Sequence, residues 1–141
     1  MPLILRLIFV ASLLMMGCGA APNRYEIVDP SGTTHALSGE ASWYGKRFQG
    51  RSTASGEPFD IKKWTAAHRT LPFQTLVRVV DNDTRKSVVV RINDRGPWSD
   101  GRVIDLSRAA AEDLDMIDRG VVSVTLEVLE WGDGSTTHEP L

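Results

Sequence analysis

The sequence contains one cysteine, Cys18, so no intrachain disulfide can hold the fold and packing must do so alone. Charge of one sign is nowhere concentrated. Sixteen Lys and Arg stand against eighteen Asp and Glu, for a formal net charge of -2 with no long run of either. That removes the electrostatic footprint of a nucleic-acid binder. No apolar stretch reaches the roughly 20 residues that a membrane-spanning helix needs. His68 has no second histidine or cysteine at ligand spacing, so no metal site is expected. There is no GxSxG elbow, phosphate-binding glycine loop or Cys and His pair, and none of the residues for cofactor, nucleotide or covalent-serine chemistry. Internal repeats, heptads and low-complexity tracts are also missing.

What is present begins with an address. Arg6 precedes an apolar run from Leu7 to Met16, which ends at the small residue Gly17 directly before Cys18. That is the pattern of a secretory signal over residues 1–17. Leu14-Met15-Met16-Gly17-Cys18 resembles the lipobox of bacterial lipoproteins, with Met15 where leucine is usual. The resemblance implies cleavage before Cys18 and lipid on its sulfur. Several acyl chains on one residue give stable anchoring, at about 0.8 kcal/mol per buried methylene. The expected location is the cell envelope, lipid-anchored and facing the periplasm. Gly19 in place of the aspartate that signals inner-membrane retention points to the outer membrane.

Residues 18–38 are poor in large apolar side chains and hold Pro22, Pro30 and Gly32, which reads as a mobile tether. A strand from Tyr25 to Val28 is the alternative there. From Gly39 to Gly132 short strands are broken by Gly, Pro, Asn and Asp, the signature of one small β-rich barrel or sandwich. Thr75–Val80 and Ser87–Ile92 flank Asp81-Asn82-Asp83-Thr84, a predicted hairpin. Val122, Val124, Leu126 and Val128 alternate with polar residues, as a half-buried strand requires. Ser107 can cap a helix over Arg108–Ile117, with Gly120 as its stop and Leu106, Ala110, Leu114 and Ile117 as its buried side. Residues 133–141 read as a disordered tail.

Three polar, glycine-marked segments are where loops on a rigid scaffold would present chemistry: Gly39–Gly45, Gly50–Asp60 and Arg91–Trp98. Asp94 alone is an ordinary turn carboxylate, and Glu57 alone an exposed one. Together, beside Trp and Tyr, they are the equipment for cutting a sugar chain, one carboxyl giving a proton to a glycosidic oxygen and the other stabilising the cationic sugar. Trp43 and Tyr44 are adjacent on a strand, so one faces the core and the other is free to stack on a sugar ring. Trp98 is a further stacking candidate. Phe59, Phe73 and Trp131 read as packing residues, while Arg51 and Arg95 are candidates to hold substrate carboxylates.

The segments GEASWYGKRFQGRSTASGEPFD and WTAAHRTLPFQTLVRVVDNDTRKSVVVRINDRGPWSDGRVIDLSRAAAEDL closely resemble the rare lipoprotein A (RlpA) family of lytic transglycosylases, over Gly39 to about Trp131. That resemblance implies a mainly β fold, a six-stranded double-psi β-barrel with one short helix. It implies peptidoglycan glycan strands as partner, cut between N-acetylmuramic acid and N-acetylglucosamine. The muramic C6 hydroxyl attacks its own anomeric carbon and leaves a 1,6-anhydro end. The family's carboxylates fall on Glu57 and Asp94, and its histidine on His68. Many members carry a C-terminal SPOR domain; none is expected in this sequence.

Asp94 is taken as the group that acts first as acid and then as base, although exchanging its role with Glu57 leaves every motif intact. Such an acid needs its pKa raised, by poor solvation or by a nearby charge such as that of Glu57. His68 either orients a carboxylate or is a satisfied structural residue. The rival to an enzyme is a barrel that binds or loosens cell-wall glycan without cutting it, because fold alone does not settle function.

Overall fold

The computed structural model describes residues 25–136. The expected signal segment, the expected lipidation site Cys18 and residues 137–141 of the expected tail therefore lie outside the described residues. Strands β1 (Glu26–Val28) and β2 (Thr34–Ala36) form an antiparallel hairpin. Six strands then close a barrel: β3 (Ser38–Trp43), β4 (Thr65–His68), β5 (Leu76–Asp81), β6 (Ser87–Asp94), β7 (Arg102–Leu106) and β8 (Val122–Glu130), in the order β3-β7-β4-β6-β5-β8. The β3–β7 and β4–β6 pairs are parallel and the other four antiparallel. One short helix, α1 (Arg108–Asp113), follows β7. Among the described residues no helix is long and apolar enough to cross a membrane.

Alternation builds the barrel interior. Val77 and Val79 of β5, Val88, Val90 and Ile92 of β6, and Val122, Val124 and Leu126 of β8 all join one buried cluster, while Arg78, Val89 and Glu127 point away from it. The β5–β6 hairpin forms where alternation and turn chemistry place it. Its turn is closed by Asp81, whose Oδ1 accepts from the backbone N–H groups of Asp83 and Thr84. Gly39 lets β3 approach β7 closely, because a Cβ there would stand 2.8 Å from the Gly101 carbonyl oxygen.

The helix is shorter than its sequence pattern suggests. Ser107 caps it as expected, its Oγ accepting from the Ala110 N–H. The chain then leaves the helix at Asp115, which adopts φ 57°, rather than at Gly120. The Met116 N–H bonds back to the Ala111 carbonyl and the Asp115 N–H to that of Glu112, which is Schellman closure. Met116 thereby becomes fully buried, while Ile117 is only partly so.

The segment expected to be a mobile tether is folded from Glu26 to Ala36. The pull is tertiary. His35, 1 % exposed, bonds Asp29 through Nε2 and Thr70 through Nδ1, and its ring lies 5.7 Å from that of Trp131. Past β8, the Gly132 N–H donates to Thr75 Oγ1 and the Gly134 N–H to the Phe73 carbonyl, so the start of the expected tail returns onto the barrel.

Candidate active site on the outer barrel face

The barrel registers place four residues side by side on neighbouring strands. Ser42 of β3 pairs with Asp105 of β7, Asp105 with Ala67 of β4, and Ala67 with Asp94 of β6. Residues opposite one another in register share a face. The neighbouring rung, Trp43, Leu106, Ala66 and Ile92, is the one that packs with the core. Asp94 reaches the outer rung because the β4–β6 register shifts between Ala66 and Ala67, leaving Asn93 as the extra residue. Without that bulge Asp94 would follow Ile92 to the inside.

Asp94 is gripped from three directions. Its Oδ1 accepts from the backbone N–H groups of Ala54 (2.9 Å) and Arg95 (2.8 Å), and its Oδ2 accepts from the Tyr44 hydroxyl (3.0 Å). Tyr44 continues the β3 ladder, its N–H bonding the Leu106 carbonyl, and so shares the face of Ser42 two residues earlier. Its ring is wedged between Phe48 and Phe59, with centroids 5.4 and 5.1 Å away. Burial, and then the charge of Asp94, push the phenol far above its ordinary range, so Tyr44 remains a hydrogen-bond donor. Of the two adjacent aromatics, Trp43 packs on the core, while Tyr44 turns its hydroxyl to Asp94 and has its ring covered by Phe48 and Phe59.

One loop carries Glu57 to the same place. Residues 51–59 fold back on themselves through the Phe59–Arg51 and Thr53–Glu57 backbone bonds, turning at Gly56 with φ 86°. The loop docks on the end of β6, the Ala54 N–H on Asp94 and the Ser55 N–H on the Asn93 carbonyl. Glu57 itself meets a partner that the motifs did not single out. Arg91 Nη1 donates to Oε2 at 2.7 Å and Nη2 to Oε1 at 2.8 Å, a bidentate pair, and Arg91 is steadied by Gln74 Oε1 at 3.1 Å. The Arg91 hydrogen bonds outweigh burial and hold the Glu57 carboxyl below its ordinary range. Glu57 is therefore an anion at neutral pH, with its charge answered by Arg91. It neither keeps a proton nor lends Asp94 an uncompensated negative charge.

Asp105 is the other carboxylate of this face, and it too escaped the sequence motifs. It is half-buried and accepts from Ser42 Oγ. Burial pushes its carboxyl up, and the charge of Asp94 adds to the rise against the pull of Ser42 and Arg102. A carboxylate inside the apolar strand Arg102–Leu106, and an arginine within the valine-rich Ser87–Asp94, were the available signals for Asp105 and Arg91.

The remaining candidates are dispersed. His68 is 1 % exposed and faces the Ile104 row, not the carboxylates. Its Nε2 donates to the Ala36 carbonyl and its Nδ1 accepts from the N–H groups of Thr70 and Leu71, while burial draws its pKa down to about 4. Burial thus favours the neutral ring, whose hydrogen bonds all go to backbone groups. Arg95 donates from Nη1 to the His68 and Leu71 carbonyls, and its guanidinium lies 4.0 Å over the Phe73 ring, so its contacts are internal to the domain. Arg51 sits 5.7 Å over Phe48, at the outer edge of the Tyr44 cluster. Trp98 is 74 % exposed, with the Arg69 guanidinium 6.0 Å from its ring, and presents an open surface for stacking. A cavity of about 780 Å³ lies between the β1–β2 hairpin and the barrel, lined by Thr34, His68, Arg69 and Ser123 among others; Glu57, Asp94 and Asp105 are not part of its lining.

A family model described as lytic transglycolase matches residues 36–126, a span that contains Tyr44, Glu57, Arg91, Asp94 and Asp105. The chain belongs to the lytic transglycolase family. Within that family, the endolytic peptidoglycan transglycosylase RlpA of Vibrio cholerae is 50 % identical over 106 residues, which are 74 % of this chain and 40 % of that protein. The protein of the same name from Helicobacter pylori strain J99 is 51 % identical over 96 residues, 68 % of this chain and 31 % of its own. The chain thus spans less than half the length of these relatives. Among solved structures, the expansin of Clavibacter michiganensis superposes with a TM-score of 0.53 at 18 % identity, covering 67 % of this chain and 50 % of that one, and shows the double-psi barrel fold shared with this lytic transglycolase domain.

Proposed function

We propose that the protein is an endolytic peptidoglycan lytic transglycosylase. It cuts the β-1,4 bond between N-acetylmuramic acid and N-acetylglucosamine and leaves 1,6-anhydro ends. The observation that carries this reading is the meeting of Glu57 and Asp94 through one loop on one barrel face, the loop's own backbone donating to Asp94. The reaction needs a proton given to the leaving O4 and a proton taken from the C6 hydroxyl. Asp94, fixed as an acceptor by three donors, is built for the second task. Glu57, paired with Arg91, supplies no proton; the pair holds the loop in place beside Asp94. Trp98 offers a ring against which a sugar can stack. Lipid on Cys18 would hold this domain to the periplasmic side of the outer membrane, within reach of the sacculus.

The test is incubation of the protein with intact and amidase-stripped sacculi, followed by mass spectrometry of the soluble products. Release of 1,6-anhydro muropeptides, reduced about 10²- to 10⁴-fold by Asp94→Asn, is the expected result. Pelleting with sacculi while releasing no anhydro product would make the barrel a glycan-binding or wall-loosening module instead. Labelling with a fatty-acid analogue that is lost in Cys18→Ser checks the anchor.

A further inference from the structure

With Glu57 bound to Arg91, the leaving oxygen has no proton donor unless Asp94 serves twice. The outer rung offers another carboxyl. We propose that Asp105 is the general acid, giving its proton to the departing O4 of N-acetylglucosamine, while Asp94 takes the proton of the muramic C6 hydroxyl. This rests on the transglycosylase reading and divides its two proton transfers between two residues.

The geometry supports the division. Asp105 and Asp94 lie on the same rung, separated by β4, whose residue at that position is Ala67. Two strand spacings put their Cα atoms about 10 Å apart. Both side chains rise from one face with only a methyl group between them. Tyr44 rises from the same face, and its phenol feels the charge of both carboxylates. The surroundings of the two differ in the needed sense. Asp94 receives two backbone N–H bonds and a phenol. Asp105 receives the Ser42 hydroxyl and is half-buried; Arg102 on its own strand opposes protonation, and Asp94 favours it. Glu57 is removed from contention by its bidentate Arg91.

The step balances. As the C1–O4 bond breaks, the Asp105 proton passes to O4. As the C6 oxygen closes on C1, its proton passes to Asp94. Asp105 ends as the anion and Asp94 as the acid, and one proton returned from Asp94 to Asp105 through solvent restores the starting state. No water is consumed and no redox partner is needed.

A leaving group that needs no acid separates the roles. On sacculi, Asp105→Asn should lose about 10²- to 10⁴-fold in rate, as removal of a general acid does. On a short glycan whose terminal N-acetylmuramic acid carries 4-nitrophenol, the same variant should lose less than about tenfold, because nitrophenolate departs unprotonated. Asp94→Asn should fail on both substrates. Ser42→Ala leaves both carboxyls in place and removes a hydrogen bond that favours the Asp105 anion, so the alkaline limb of the pH-rate profile should move to higher pH. Sacculus activity of Asp105→Asn within tenfold of wild type, or equal losses on both substrates in a variant with wild-type circular dichroism, overturns the assignment. Carboxyl ¹³C titration adds a readout independent of turnover. The Asp105 midpoint should fall in Asp94→Asn, and an unmoved midpoint refutes the coupling even if the wild type itself releases no anhydro product, the outcome that would instead sink the transglycosylase reading.

Discussion

Removing the Arg91 guanidinium, as in Arg91→Met, tests the electrostatic frame of the site. The bidentate pair with Glu57 is neither surface nor core: the Arg91 side chain is 29 % exposed and that of Glu57 13 %. Exposed ion pairs contribute at most about 1 kcal/mol. Stripping one partner from a fully buried pair costs about 3–5 kcal/mol. Lys63, 60 % exposed and 4.0 Å from Oε1, compensates little. The intermediate setting predicts that Arg91→Met and Glu57→Gln each destabilise by about 2–3 kcal/mol at pH 7, with a coupling of about 2 kcal/mol when combined. The pH dependence has a defined sign. The Glu57 carboxyl is depressed below its ordinary 4.5 by Arg91, so the folded state releases this proton more readily than the unfolded chain. Its contribution is complete above that ordinary value and is lost as pH falls through the lower, folded one. The gap between wild type and Arg91→Met should therefore close in acid. Urea unfolding by linear extrapolation at several pH values measures all of this. Strict additivity of the two substitutions at pH 7, or a gap that ignores pH down to the acid limb, would refute the assignment of Glu57 as an anion held by Arg91.

Substitutions at His68, Tyr44 and Trp98 separate packing from chemistry. His68→Ala should cost at least about 2 kcal/mol, since two backbone N–H groups lose their acceptor, while anhydro-product release per folded molecule persists. Because the folded His68 pKa is drawn from 6.5 down to about 4, the wild type should lose roughly 3 kcal/mol of stability as pH falls across that interval, a slope absent from the variant. Tyr44→Phe keeps the ring between Phe48 and Phe59 but removes the donor to Asp94, so kcat should fall roughly tenfold or more with less than about 1 kcal/mol change in stability. Trp98→Ala should weaken co-sedimentation with sacculi and raise KM while leaving unfolding within about 0.5 kcal/mol of wild type, because the ring is 74 % exposed.

The parts of this molecule that were legible in advance are those whose physics is local. Val122, Val124 and Leu126 alternate with polar neighbours wherever the strand ends up, and Asp81 closes its turn with backbone groups two and three residues away. Glu57 and Asp94 stand in polar, glycine-marked segments, and the fold brings those two segments together. Other features depend on partners that only the closed barrel supplies. His35 folds its hairpin down because Thr70 and Trp131 arrive from elsewhere. Arg91 and Asp105 acquire meaning only through strand register, which local pattern does not encode for parallel pairs. The consequence bears on chemistry. A one-residue change in the β4–β6 register would return Asp94 to the core-facing row of Ile92 and leave the loop N–H of Ala54 without its acceptor. The bulge at Asn93 is thus as much a part of the site as the carboxylates. An insertion or deletion there, with every acidic residue retained, should abolish activity in a chain that still forms the Val-rich half of the barrel.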